Sequence, residues 1–137
     1  MVAALVALAL VAPHPLALAG VQAGQPVRTI EERLSRAGWR GQGGTFTGLY
    51  QGRRAVLRVE CGASACKPQA VPQAVRLTLY SPTCKAALAA VIRENGRPDD
   101  ARLQLGSGPD ESLWRRNNAS LTAYCTDGVV FARLRKL

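Results

Sequence analysis

Two runs in the middle of the chain alternate between apolar and polar residues. In RRAVLRVE (53–60), Ala55, Leu57 and Val59 occupy every second position, with Arg54, Val56, Arg58 and Glu60 between them. AVRLTLY (74–80) repeats the rhythm, setting Val75, Leu77 and Leu79 against Arg76, Thr78 and Tyr80. Successive side chains leave a strand on opposite faces, so each run predicts a half-buried strand with an aliphatic side and a polar side. Between them, KPQAVPQ (67–73) contains Pro68 and Pro72, which lack the amide donors of a central strand, and a crossing loop is expected. The end of the chain, SLTAYCTDGVVFARLRKL (120–137), reads as two strands about an Asp127-Gly128 turn. Leu121, Ala123 and Cys125 share one face, as do Val130, Ala132 and Leu134. GQGGTFTGLY (41–50) reads as a loop entering a strand, with a turn at Gln51-Gly52, and ARLQL (101–105) as a short strand followed by a GSGPDE loop.

Two segments carry a helical rhythm instead. TIEERLSRAGW (29–39) places Ile30, Leu34 and Ala37 on one stripe, with Thr29 and Glu32 at capping-box spacing, Gly38 as a stop and Trp39 over the stripe. SPTCKAALAAVIRENG (81–96) repeats Cys84, Ala87, Leu88, Val91 and Ile92 at helical spacing. Ser81 is expected as its cap, Pro82 as its first position and Asn95-Gly96 as its end. Helices segregated from hairpins predict an α+β fold, two-layered, with a mostly antiparallel sheet and two packed helices. A small β-barrel with peripheral helices is the alternative. No internal repeat is evident.

The first twenty residues, MVAALVALALVAPHPLALAG, contain no acidic or basic side chain. An apolar run followed by Ala17-Leu18-Ala19 has the form of an export signal, with cleavage expected after Ala19. That divides the chain into a signal peptide, 1–19, and a single small exported domain, 20–137, secreted or periplasmic, with GVQAGQPVR as a flexible lead. Pro13, His14 and Pro15 interrupt the run before the roughly 20 apolar residues of a membrane span, and no transmembrane segment is expected in the mature chain. Four cysteines in an exported domain suggest two disulfides. The expected pairs are Cys61–Cys66, closing a short loop of small residues, and Cys84–Cys125, tying a helix start to a late strand.

Catalysis finds little support. The single histidine, His14, lies in the expected leader, so the exported domain has no usual base for a Ser-His-Asp or Cys-His arrangement. The carboxylates fall mostly at helix ends and turns, where capping or solvation accounts for them. A small cell-envelope hydrolase remains an alternative if two of them meet in the fold. Only the first cysteine pair has zinc-knuckle spacing, no C-x-x-C redox motif occurs, and no metal or cofactor is expected. The glycines of RGQGGTFTGLY lack the strand-then-helix context of a phosphate loop. Asn118-Ala119-Ser120 matches a glycosylation acceptor, which in a bacterial chain is simply a polar turn.

What remains is charge. Eighteen basic residues face nine acidic ones, a formal balance of +9, and fifteen of the basic residues are arginine. If the strands are as assigned, Arg54, Arg58, Arg76, Tyr80, Arg102, Tyr124, Arg133 and Arg135 fall on faces opposite the aliphatic set. Such a surface suits an anionic or acidic partner: an acidic protein, an anionic glycan, an anionic lipid surface or a nucleic acid. A solvated sheet face in an arginine-rich composition has the same pattern. The reading is a non-catalytic extracytoplasmic binding or accessory protein. Besides the hydrolase, its rival is a structural or inhibitory protein docking through loops, with GQGGTF or the Trp114 segment at the contact and Arg115-Arg116 on its rim.

Overall fold

The computed structural model describes residues 14–62, 66–102 and 110–137, the side chains of 100–102 and 110 excepted. Its main element is one antiparallel sheet of eight strands: β3 (Arg40–Gln42), β4 (Thr45–Tyr50), β5 (Arg53–Glu60), β6 (Ala74–Tyr80), β7 (Asp100–Arg102), β8 (Asp110–Arg116), β9 (Ala119–Thr126) and β10 (Val129–Lys136). A separate two-stranded hairpin, β1 (Ala17–Leu18) and β2 (Val21–Gln22), precedes them. The sheet runs in the order β3-β4-β5-β6-β10-β9-β8-β7. Helix α1 (Val27–Arg36) leads into the first four of these strands and α2 (Cys84–Asn95) into the last four. The unit of a helix followed by a four-stranded meander thus occurs twice, the two meanders joining where β6 pairs with β10. The expected two-layer α+β fold is the one observed.

The aliphatic alternation becomes the core. Leu57 pairs with Leu77, Leu77 with Ala132 and Ala132 with Ala123, all buried. The parallel row through Ala55, Leu79, Val130 and Cys125 is buried as well. The same core takes in Val27, Ile30 and Leu34 of α1 and Ala87, Leu88 and Val91 of α2. Ala37 is exposed, so α1 turns Val27 inward where Ala37 was expected. Trp39 is buried over Gly48, where any Cβ would overlap its indole. The disulfides are Cys61–Cys66 and Cys84–Cys125, with Cα atoms 5.4 and 5.5 Å apart, as expected from spacing and context.

Both helix starts differ from the sequence reading. Helix α1 begins at Val27 behind Pro26, and Thr29 lies inside it without capping. The reason is tertiary: the carbonyls of Ala70 and Pro68 accept from the Val27 and Arg28 amides at 2.8 and 2.9 Å, so the crossing loop supplies the cap. In α2 the cap is Thr83, whose hydroxyl accepts from the Ala86 amide at 3.2 Å, whereas the Ser81 hydroxyl is buried without a partner. Gly96, at φ 80°, ends that helix as expected.

Two segments expected as loops are ordered strands. DESLWRR forms β8 and joins β9 through Asn117-Asn118, both at positive φ, the backbone of a tight hairpin turn. RGQ forms the edge strand β3. The largest difference is at the N-terminus. Leu16, Leu18 and Val21 are buried within the core, β1 against α2 and β2 against α1, so residues 20–22 are no flexible lead. The earlier leader residues, 1–13, and the remainder of the ARLQL strand and its following loop, 103–109, lie outside the described residues.

Candidate anion-binding face

The polar positions of the alternating strands come together on the side of the sheet facing away from the core. Arg58 of β5 pairs with Arg76 of β6, and Arg76 pairs with Arg133 of β10, placing three arginines side by side on neighbouring strands. Strands lie about 4.8 Å apart, so the row spans about 10 Å. Thr45 and Thr122 flank it. Arg54 is exposed on the same face of β5, Arg135 on β10 and Arg115 on β8. The next register carries Val56, Thr78, Phe131 and Tyr124 across four strands. Tyr80 lies opposite Val129, and both Tyr80 and Tyr124 are exposed.

Like charges directly opposite one another destabilise a sheet. One carboxylate offsets part of that repulsion. Glu60 lies 3.4 Å from Arg76 and takes Nε and Nη2 of Arg133 at 3.1 and 2.9 Å. These groups are partly solvated, and such pairs contribute roughly 0–1 kcal/mol each. Within the described residues no carboxylate stands at salt-bridge distance from Arg54, Arg58, Arg115 or Arg135.

The rings are packed as a pair. Tyr124 and Phe131 stack with centroids 5.3 Å apart and planes inclined by 26°, which leaves each with one ring face occupied by the other. Two shallow hollows indent the arginine face. One, of about 370 Å³, is lined by Arg40, Leu49, Arg54, Val56 and Tyr80; the other, of about 360 Å³, by Arg115, Ser120, Thr122, Arg133, Arg135 and Glu111.

Of the residues expected from sequence, Arg54, Arg58, Arg76, Tyr80, Tyr124, Arg133 and Arg135 share this face. Arg102 pairs with Glu111 at the β7 edge, and its side chain lies outside the description. Arg40 and Leu49 join the first hollow unanticipated: Arg40 lies on β3, which read as a glycine-rich loop, and Leu49 lies near the end of β4. The alternation of Leu113 and Arg115 with Ser112 and Trp114, followed by Asn-Asn, was the available signal for β8. Arg116 turns away from the face and donates to the Asn95 carbonyl.

The two segments expected at a loop-docking contact turn their large rings inward. Trp114 is completely buried, its indole N–H donating to the Gly96 carbonyl at 2.9 Å, and Phe46 of GQGGTF is in the core. Three of the described carboxylates hold separate structural positions. Asp99 accepts from the Arg115 amide at 2.7 Å, Glu60 lies between two arginines, and Glu94 accepts from Tyr50 and two backbone amides. Each of the two hollows on the arginine face is lined by at most one carboxylate. Among the described residues no group of three or more His, Cys, Asp and Glu side chains is placed to hold a metal ion, and no helix is long and apolar enough to cross a membrane. Comparison with family models, curated proteins and solved structures returns no match.

Proposed function

We propose that this chain is a non-catalytic binding or accessory module working outside the cytoplasm, and that its outer sheet face engages an acidic protein. The observation that carries the reading is the Arg58–Arg76–Arg133 row, three like charges set opposite one another on adjacent strands. That arrangement opposes folding, and an anionic partner reverses its sign. Arginine forks match carboxylates with paired hydrogen bonds. The surroundings favour a protein among anionic partners. Arginine and tyrosine dominate protein-binding hot spots, and here they stand beside exposed Leu49 and half-buried Val56 and Phe131. A nucleic acid would draw on free ring faces, and the Tyr124–Phe131 pair already uses one face of each ring.

The test is binding to poly-L-glutamate, with heparin, a single-stranded oligonucleotide and anionic vesicles alongside, at low and high salt. Affinity for the acidic polypeptide is expected to fall as salt rises. Combining Arg54→Ser, Arg58→Ser and Arg76→Ser is expected to weaken it roughly ten- to hundredfold, from about 0.5–1 kcal/mol per exposed contact. Unchanged binding by the triple variant rejects the face. Preferential capture of the oligonucleotide, heparin or vesicles rejects the protein as its partner class.

A further inference from the structure

We infer that the hairpin Leu16–Gln22 is a permanent part of the folded protein, so that any removal of an export leader falls before Leu16 and not at the Ala17-Leu18-Ala19 sequence. Three observations converge on this. Leu16, Leu18 and Val21 are at most 1 % exposed and belong to the same core as both helices and the sheet. The Asn95 side chain, itself buried at the end of α2, is matched to this strand: its Oδ1 accepts from the Ala17 amide at 2.8 Å and its Nδ2 donates to the Ala17 carbonyl at 2.9 Å. Beside Asn95 on the helix, Glu94 spreads its two oxygens over the Ala19–Gly20 bond, accepting from the Ala19 amide at 3.0 Å and the Gly20 amide at 2.8 Å. The Tyr50 hydroxyl donates to the same carboxylate at 2.5 Å.

A cut after Ala19 would take Leu16 and Leu18 out of the core and leave the buried Asn95 amide without its strand partner. Buried polar groups that lose their partners are strongly unfavourable. The cut would bring one gain, a Gly20 ammonium beside Glu94. That charge cannot refill the space of two leucines. The small-residue sequence that resembles a cleavage site is, in the folded chain, a strand and a tight turn, with Ala19 and Gly20 at φ 54° and 78°.

Two measurements decide the matter. The full chain is expressed with export in a bacterial host, and the protein recovered outside the cytoplasm is weighed intact. An N-terminus anywhere before Leu16, or an uncut chain, is expected; a mass beginning at Gly20 overturns the inference. Separately, chains beginning at His14 and at Gly20 are purified and melted. The Gly20 chain is expected to lose its cooperative transition or to melt about 10 °C lower or more. Equal midpoints overturn the inference independently of export.

Discussion

Replacing Glu60 by Gln separates a docking face from an ordinary solvated one, because it should move stability and binding in opposite directions. Glu60 holds Arg133 at 2.9 Å and Arg76 at 3.4 Å, so it occupies the guanidinium forks that an incoming carboxylate would use. Its loss removes two solvated ion pairs, each contributing roughly 0–1 kcal/mol, and the variant should be slightly less stable for that reason. Binding should gain. A partner carboxylate held about 5 Å from Glu60 in a water-like medium is repelled by about 0.8 kcal/mol. Adding the release of two forks gives about 1–2 kcal/mol, or roughly five- to thirtyfold tighter binding. The assay is a titration with poly-L-glutamate near 0.1 M salt, paired with urea unfolding of the same samples. Glu32→Gln is the control, since Glu32 is exposed on α1, in the layer behind the sheet, and the substitution makes the same change in net charge. With a Debye length of about 10 Å, its influence on the arginine row should be small. If Glu60→Gln binds no tighter than Glu32→Gln, the arginine row is not the contact surface.

Two further outcomes test the framework that holds the face in place. Cys84 and Cys125 are 41 positions apart and Cys61 and Cys66 only 5, so chain entropy gives about 4 and about 2 kcal/mol. Urea unfolding should therefore show a larger loss for the Cys84→Ala/Cys125→Ala variant than for Cys61→Ala/Cys66→Ala, and the reverse order would contradict the assignment of the long bridge as the stabilising one. Burial first, and then the neighbouring Glu94, raise the Tyr50 phenol well above its ordinary range. The unfolded phenol titrates near 10, so this stability is fully present below about pH 10 and is lost as pH rises beyond it, by about 1.4 kcal/mol per pH unit. Urea melts at pH 9, 10 and 11 should show a steeper decline for the native chain than for Tyr50→Phe; parallel declines would mean that Tyr50 does not remain protonated in the fold.

Local patterns carried the centre of this protein. The alternation in 53–60 and 74–80 identified which side of each strand is apolar, and the Asp127-Gly128 turn located the final hairpin. Because a strand has a period of two, knowing Leu57, Leu77 and Ala132 face inward also places Arg58, Arg76 and Arg133 outward. Most of the candidate face was therefore legible in the sequence. Its adjacency was not: that Arg133 stands opposite Arg76, and so in one row with Arg58, depends on β10 pairing with β6, which joins two residues 57 positions apart.

Tertiary structure decided the rest wherever one short segment had two plausible local meanings. Leu16-Ala17-Leu18-Ala19 has the composition of a cleaved leader and equally that of a buried strand; Asn95 and Glu94, more than seventy positions away, provide the matching partners that make it a strand. The capping box at Thr29 and Glu32 was a sound local signal that lost to the Ala70 and Pro68 carbonyls. Trp114 sits in a polar, charged stretch, and only the pairing of β8 with β9 turns it inward. Periodicity reports which side of an element is apolar, since that is written in neighbouring residues. Which apolar surface covers which, and which distant group satisfies a given amide, depends on contacts that no local window contains.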